Sequence, residues 1–485
     1  DQSIYRFRGA TIKNILDFEK QYRSARLIRL EQNYRSTQSI LNAANAVISH
    51  NLGRKGKRLW TANGAGDPIT VYEAADEGGE GSYVAGKILS GSRGNGFKDF
   101  AVLYRTNAQS NALEYAFKRN GIPYRIIGGT RFFDRAEVKD MLSYLCVINN
   151  RADDLRLKRI INNPPRGLGA KTIETAVRLA GAEDKPLYAV VSDPYSYGPL
   201  EKPAMKLLQF SSLIEGLAQL LEEGMSLPDF YDEVLYRTGY VEMLTSKDTE
   251  ENKTRLENVR ELKSSINSYV ENADEPSLSG FLEEIALYTD LEQYDESDDA
   301  VVMMTMHSAK GLEFPNVFLV GFEEGLFPGI RAIGDAEEME EERRLCYVAI
   351  TRAKKSLSIS HARQRMIYGR TSAAMPSRFL KEIPASCVVK TGGYRDRMDS
   401  AAVLNNTVPR QQTKPKEEHF YPKQTAPASY LEVNKGDMVI HAAFGRGLVL
   451  SVMKMSGDAL LEIAFDDIGT KKLMAKAASA HMKKL

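Results

Sequence analysis

Six short apolar runs set the terms for what this chain can fold into: Leu27–Leu30, Ile69–Tyr72, Ala101–Tyr104, Val301–Thr305, Val317–Gly321 and Leu357–Ser360. Each is too short for a buried helix and reads as a strand covered on both faces. Between them lie helical patterns, such as Ile40, Leu41, Ala44, Val47 and Ile48 after a Ser36/Thr37 cap. Strands alternating with helices imply an α/β class with a doubly wound sheet. The alternation stops near residue 135 and resumes near 300. The interval is helix-rich, with amphipathic repeats in Leu207–Leu221 and Leu256–Ile266, so an α-helical domain interrupting one α/β domain is expected. Residues 384–430 hold Pro384, Pro409, Pro415, Pro422 and Pro427 among polar residues, and read as a flexible linker. From Gly436 to Leu485 apolar and polar residues alternate around Gly445, Gly447, Gly457 and Gly469, which suits a small β-barrel.

The 485 residues correspond to about three domains at roughly 150 residues each. Lys and Arg number 65 and Asp and Glu 64, a net charge of +1 that excludes a uniformly basic coat and an acidic, solvating chain. That total conceals a cancellation. Residues 1–60 carry twelve Lys/Arg against four Asp/Glu, whereas residues 271–300 carry eleven Asp/Glu and no Lys or Arg. The acidic stretch reads as a solvated face. In the basic one Tyr5, Arg6, Phe7 and Arg8 interleave rings with guanidinium groups, charge for phosphate and π-faces for bases. Cys146, Cys346 and Cys387 are too few and too scattered for a zinc cluster or a disulfide framework, and point to a reducing cytoplasm. No apolar run is long enough to span a membrane, and no secretory leader is recognisable. The chain opens at Asp1 in the middle of a motif, and is expected to be a piece of a longer protein.

A phosphate-binding loop is mimicked but not made. Gly81-Ser-Tyr-Val-Ala-Gly86-Lys87 has the spacing GxxxxGK, yet Ile88 stands where Ser or Thr would hold magnesium. Glu73, Asp76, Glu77 and Glu80 precede it and would repel a triphosphate, so a helix is expected there. No metal site is expected within the chain.

Four segments carry the chemistry: Asp1-Gln-Ser-Ile-Tyr-Arg-Phe-Arg-Gly-Ala10, Leu30-Glu-Gln-Asn-Tyr-Arg-Ser-Thr37, Thr305-Met-His-Ser-Ala-Lys-Gly-Leu-Glu-Phe314 and Glu342-Arg-Arg-Leu-Cys-Tyr-Val-Ala-Ile-Thr-Arg352. They fall at loops after strands or at helix starts, where an open α/β sheet binds ligands. In this order they resemble the motor motifs of superfamily 1 DNA helicases of the UvrD/Rep type. The resemblance implies RecA-like lobes, with the P-loop and magnesium-binding motif upstream of Asp1. It implies an ATP-dependent 3′→5′ helicase and translocase of DNA repair and replication, with ATP and Mg²⁺ as cofactors and no turnover by this chain alone.

Roles follow from the resemblance, residue by residue. Gln2 matches a γ-phosphate sensor, and Tyr5, Phe7, Arg8 and His307 match single-strand contacts, His307 coupling nucleotide to DNA. Phe7 stands where the family usually has Trp. Tyr34 matches the ring that stacks on adenine, and Glu313 the carboxylate near the ribose. Arg35 and Arg352 match two arginines facing the γ-phosphate, where fixed guanidinium donors stabilise the transferring group. The plain alternatives are a core ring for Phe7, a structural histidine for His307 and surface salt bridges for the two arginines. Within the insertion, Arg166, Gly167, Gly169, Lys171 and Thr172 look like a helix–hairpin–helix gripping duplex DNA without reading sequence, with a simple interhelical turn as the alternative. The segment Gly436–Gly447 resembles the Tudor-like (SH3-like) barrel that binds RNA polymerase in this family, with Lys471 and Lys472 as contacts. The expected domains are 1–28 (end of the first lobe, 1A), 29–135 with 299–383 (second lobe, 2A), 136–298 (insertion, 2B), 384–430 (linker) and 431–485 (barrel). A non-catalytic DNA- and polymerase-binding fragment is the alternative function. A helicase–nuclease subunit is disfavoured, because no cysteine cluster or nuclease domain is in view.

Overall fold

The computed structural model describes residues 1–6, 12, 17–18, 21–22, 24, 26–92, 96–290, 299–392, 431–455, 458–466 and 468–485. The chain divides into two compact units, Asp1–Gly129 with Ser297–Arg365 and Ala373–Leu485, and Thr130–Glu296 with Met366–Ser372.

The first unit is built on strands β1 (Ile69–Ala74), β2 (Phe100–Tyr104), β3 (Tyr124–Ile127), β4 (Val301–Thr305), β5 (Phe314–Leu319) and β6 (Ala353–Ala362). After the hairpin strands β7 (Gln364–Ile367) and β8 (Arg370–Ala373), β9 (Val388–Gly392) joins the same sheet. Among the described residues these form a seven-stranded sheet of order β3-β4-β2-β5-β6-β1-β9, parallel throughout. A parallel sheet is covered by its crossover helices on both faces, which is why β2 is buried at every position. On one face Ile40, Leu41, Val47, Leu345 and Val348 pack over Ala101, Leu103, Val302, Leu319 and Ile359. On the other, Val84, Ile88, Leu113 and Phe117 cover Val102, Tyr104, Met303 and Phe318.

The helix Gln38–Ser49 begins at Thr37, as its apolar spacing predicts, but the Thr37 side chain makes no capping bond. The exposed first-turn donors are satisfied otherwise: the N–H groups of Gln38 and Ser39 donate to the carbonyls of Gly64 and Ala65. The GxxxxGK look-alike lies inside the helix Glu77–Gly91, capped by Asp76, whose Oδ1 accepts from the Gly79 N–H at 2.7 Å.

Three sequence expectations need correction. Leu27–Leu30 is no strand: Leu27, Ile28 and Leu30 are 47%, 72% and 81% exposed, and the nearest bridge is Gln32 to Trp60. An apolar run becomes a strand only with a neighbour to pair with, and none stands beside it among the described residues. Strands β3 and β9 are not legible, because Tyr-Arg-Ile-Ile and Val-Val-Lys-Thr-Gly hold too few consecutive apolar residues to read as runs. The linker begins later than residue 384, because β9 pairs with β1 from Ile69↔Val388 to Glu73↔Gly392 and Cys387 is buried. The remainder of that stretch, 393–430, lies outside the described residues.

Strands β10 (Met438–His441), β11 (Gly445–Met455), β12 (Asp458–Phe465), β13 (Gly469–Met474) and β14 (Met482–Lys484) form an antiparallel sheet of order β13-β12-β11-β10-β14. Its Val439, Phe444, Ile463 and Leu473 share one apolar core with Val84, Ile88 and Phe117 of the lobe. The barrel therefore belongs to the first unit.

The second unit is helical. Ala136–Asn149, Ala204–Glu222, Leu227–Arg237, Glu250–Asn272 and Leu278–Asp290 surround a core that includes Met141, Phe210, Phe230, Leu262 and Phe281. The tip of the β7–β8 hairpin completes it: Tyr368 and Gly369 N–H groups donate to Glu261 and Ser264, and Asn267 donates to the Gly369 carbonyl. No helix among the described residues is long and apolar enough to cross a membrane.

One knot of buried polar groups lies inside the lobe. Arg365 donates to Glu323 Oε2 at 2.7 Å and to Glu80 Oε2 at 2.6 Å, while Glu80 also accepts from the Gly321 N–H and the Ser360 hydroxyl. Burial alone would raise the Glu80 pKa, but Arg365 and these donors hold it below the ordinary carboxylate range. Removing the cation strands two buried carboxylates, so Arg365→Met should cost about 3–5 kcal/mol of lobe stability in urea unfolding at neutral pH. A depressed carboxyl contributes stability above its unfolded pKa and loses it as pH falls. The gap between wild type and variant should therefore narrow below about pH 4.

Candidate nucleotide and DNA sites

Two clusters of chemistry-bearing side chains form in the lobe. The first lies at the amino ends of β5 and β6, which are register neighbours at Phe314↔Ala353. Here the loop before the Gln38–Ser49 helix is folded by Asn33, whose Oδ1 accepts from the N–H groups of Arg35 and Ser36 at 2.9 and 2.8 Å. Ser36 Oγ donates to the Ala353 carbonyl at 2.6 Å, fastening the loop to the start of β6. This turn directs Arg35 to Glu313: its Nε pairs with Glu313 Oε2, and Nη1 donates to the Thr351 carbonyl at 3.3 Å. Lys354 Nζ meets the other Glu313 oxygen at 2.7 Å. Lys354 and then Arg35 hold the Glu313 carboxyl down at about 2.

Arg352 stands beside this group, 3% exposed, at the end of the Ala336–Ile350 helix. Its Nε and Nη1 donate to the carbonyls of Val348 and Leu312 at 3.0 Å each, and Nη2 donates to Thr351 Oγ1 at 3.1 Å. A helix C-terminus offers unsatisfied carbonyls and negative dipole charge, so a guanidinium is held there in a fixed orientation. Burial first, then the nearby Arg35, lowers the Arg352 pKa to about 10. Tyr34, 78% exposed, lies next in the chain to Arg35, with its hydroxyl donating to Gln32 Oε1 at 2.9 Å. Arg35, Tyr34, Glu313 and Arg352 are thus assembled at one edge. The third motif lies between β4 and β5, as expected, whereas the fourth neither follows a strand nor starts a helix: it fills the end of the Ala336–Ile350 helix and places Arg352 just beyond it.

In the second cluster Tyr5 donates its hydroxyl to the His307 carbonyl at 3.4 Å, and the Lys310 ammonium lies 5.0 Å from the Tyr5 ring centroid. Lys310 Nζ also donates to the Gln2 carbonyl at 3.0 Å. Gln2, Tyr5 and His307 are therefore neighbours, and Lys310 joins them. Arg6 is engaged by Glu337 at 2.6 Å and, through its N–H, by Glu341 at 2.9 Å. Phe7 and Arg8 lie outside the described residues. Lys310 and Lys354 were missed as individual residues, although both stand inside or next to the quoted motifs. A lysine two residues after Arg352 or three after His307 carries no signal until folding shows which carboxylate or ring it meets.

Neither cluster resembles a cation site. Among the described residues no group of three His, Cys, Asp or Glu converges to hold a metal. Glu313 is already bound by two cations, so the first cluster suits an anion.

In the helical unit the structure separates the expected duplex contacts. Arg166 points inward, donating to the carbonyls of Ile160, Pro164 and Thr238 and to the Tyr144 hydroxyl at 2.7 Å, with its guanidinium over the Tyr144 and Phe210 rings. Its Nη1 and Nη2 donors thus hold its own loop together, and its expected contact with DNA is left as a proposal. The Gly167 carbonyl accepts from Lys206 at 3.1 Å. Gly169 caps the Ala170–Ala182 helix, and Lys171 is exposed in its first turn beside half-buried Thr172. Lys471 and Lys472 are half-buried on β13, Lys472 in register with Glu462.

The fold and the four motifs define a motor-type α/β lobe with an inserted helical unit and a terminal barrel. The UvrD-like helicase C-terminal domain matches residues 28–364, and the PcrA/UvrD tudor domain matches residues 436–480. The ATP-dependent DNA helicase PcrA of Staphylococcus aureus (strain Mu50) is 44% identical over 493 residues, covering 100% of this chain and 66% of its own length. The PcrA helicase of Staphylococcus epidermidis (strain ATCC 12228) is also 44% identical, over 99% of this chain and 65% of its own. A solved C-terminal domain of a possible DNA helicase from Lactobacillus plantarum aligns at 11% identity with a TM-score of 0.29, too loose to argue from. The chain belongs to the UvrD-like helicase family, and it spans just under two thirds of the length of these relatives.

The inward Arg166 generates a test. Arg166→Ala should lower the stability of the helical unit by about 3 kcal/mol in urea unfolding followed by circular dichroism. Arg166→Lys should not rescue it, since one ammonium cannot serve oxygens on four residues. Duplex-DNA affinity per folded molecule, read by fluorescence anisotropy, should change less than about twofold; a tenfold loss would put Arg166 on the DNA.

Proposed function

We propose that this chain supplies the second motor lobe, the inserted domain and the tail of an ATP-dependent 3′→5′ DNA helicase and translocase acting in DNA repair and replication. The observation that carries the reading is the joining of the two clusters by one short segment. His307 and Lys310 sit with Tyr5 and Gln2, and Glu313, next to the end of the same segment, sits with Arg35. A change in what Arg35 and Glu313 hold is therefore transmitted along a few residues to the groups proposed to grip single-stranded DNA, Tyr5 and His307 with Phe7 and Arg8.

In this reading ATP lies against the amino ends of β5 and β6, its adenine on the Tyr34 ring and its γ-phosphate facing Arg35 and Arg352. The guanidinium of Arg35 exchanges Glu313 for phosphate oxygens, and Glu313 turns to the ribose. Arg352, already desolvated and oriented, adds fixed charge where the transferring group develops it. Mg²⁺ would neutralise the phosphates when bound; among the described residues no carboxylate cluster converges to hold it, and the resemblance gives that task to a P-loop lobe. Gly169, Lys171 and Thr172 remain the proposed duplex contacts, and the barrel the proposed RNA polymerase contact.

The decisive measurement is DNA-stimulated ATP hydrolysis in a chain that joins these residues to a P-loop lobe. Arg352→Ala should lower kcat by about 10³-fold or more while nucleotide affinity changes little. An unchanged kcat would remove Arg352 from the reaction. The 485 residues alone, with no GxxxxGK[ST] sequence, should show no turnover above background.

A further inference from the structure

The loop that carries Tyr34 and Arg35 is folded from within by Asn33 and Ser36. A second segment, residues 59–66, holds it from outside. The two run side by side: the Asn33 N–H donates to the Trp60 carbonyl at 2.8 Å, and the Trp60 N–H to the Glu31 carbonyl at 3.0 Å. The outer segment is itself fastened to the Gln38–Ser49 helix. Asn45 donates to the Leu59 carbonyl at 2.8 Å and accepts from the Leu59 N–H at 3.0 Å. Further on, the Thr61 N–H donates to Gln38 Oε1 at 3.3 Å, and Ser39 Oγ donates to the Ala65 carbonyl at 2.8 Å. At its end Gly66 lies flat against Thr37. Gly66 has φ +70°, and a Cβ there would stand 2.3 Å from Thr37 Cβ, so glycine alone permits the approach.

Between these anchors one side chain reaches into the loop. Asn63 Nδ2 donates to the Tyr34 carbonyl at 3.0 Å and to the Ser36 carbonyl at 3.4 Å, the residues on either side of Arg35. Asn33 Oδ1 accepts from the N–H groups of Arg35 and Ser36. The loop backbone is thus met by two amides, Asn33 supplying the acceptor and Asn63 the donor. An arginine has several rotatable bonds, and it aims at one place only when its own main chain is fixed.

We propose that Asn63 is a positioning residue for the nucleotide site. It touches neither base nor phosphate, but sets the loop from which Tyr34 meets the base and Arg35 the γ-phosphate. The inference rests on the nucleotide reading above and goes beyond it, because residues 59–66 lie outside the four motifs.

The test follows DNA-stimulated ATP hydrolysis in the full-length chain that joins these residues to a P-loop lobe, together with single-strand affinity in the absence of nucleotide. Asn63→Asp keeps the size of the side chain but turns a carboxylate oxygen on two carbonyls, and should lower kcat/KM for ATP at least about tenfold. Asn63→Ala removes the donor without that repulsion and should lower it about threefold. Single-strand affinity should stay within about twofold of wild type, and the melting temperature within about 2 °C. Unchanged kcat/KM in both variants overturns the proposal. So does a loss of single-strand affinity or melting temperature in step with kcat/KM, which would make Asn63 a folding residue only. Arg35→Ala, made alongside, should lower kcat at least about a hundredfold. If it leaves turnover unchanged, the nucleotide reading falls and this proposal with it, whereas the expected loss with silent Asn63 variants overturns the proposal alone.

Discussion

A parallel sheet covered on both faces leaves little room for charged side chains in its most buried strands, and this constraint organises the lobe. Positions along β2 and β4 are filled with Ala, Val, Leu and Met, so ionisable groups are pushed to the strand ends. At the carboxyl side the consequence is structural: Arg365 binds Glu80 and Glu323, and Arg105 binds Glu342 through paired hydrogen bonds. At the amino side it is chemical. Arg35 and Lys354 share one carboxylate, Glu313, and Arg352 stands beside them on carbonyl and hydroxyl acceptors, leaving an excess of positive charge on rigid elements. An edge built this way is suited to a polyanion that can satisfy the surplus donors.

The same constraint explains what the sequence made legible. The most deeply buried strands, β2 and β4, are nearly all apolar and stand out as runs, β1 and β6 show by their alternating apolar residues, and the gap between β3 and β4 reveals the inserted helices. Motif residues are legible for a related reason: four separate segments each carry a residue type that only an edge position would tolerate. What escaped depends on partners. Leu27–Leu30 has the composition of a strand and no neighbour; β9 has a neighbour in β1 but too few consecutive apolar residues to announce itself. Lys354 gains meaning only because β5 and β6 bring it within 2.7 Å of Glu313.

Arg166 shows the opposite case. An arginine between glycines and prolines looks free to meet phosphate, because in sequence nothing competes for it. Folding supplies the competitors. Three carbonyls, one hydroxyl and two aromatic faces converge on its guanidinium, and a planar, always-charged fork is the side chain best able to serve them together. The loop keeps its helix start at Gly169–Thr172, with Lys171 exposed, so the proposed grip on phosphate through backbone amides does not depend on the arginine. Charge visible in a motif and charge available at a surface are different quantities.

Arg352 joins these two lessons. It too is buried and internally bonded, yet its situation differs from that of Arg166 in what surrounds it. Its acceptors are the carbonyls of Val348 and Leu312 and the Thr351 hydroxyl, and Arg35 lies near enough to lower its pKa. A guanidinium held by neutral acceptors beside a second cation keeps most of its charge uncompensated, whereas Arg365 has two carboxylates to itself. Such a group is unfavourable in the resting lobe and is relieved when an anion arrives. Because the carbonyls fix its orientation beforehand, little rearrangement is required at that moment. In the proposed function, two oriented arginines beside one glutamate would make the amino edge of this sheet the place where phosphate is met, and the segment from His307 to Glu313 would give that event a short route to Tyr5.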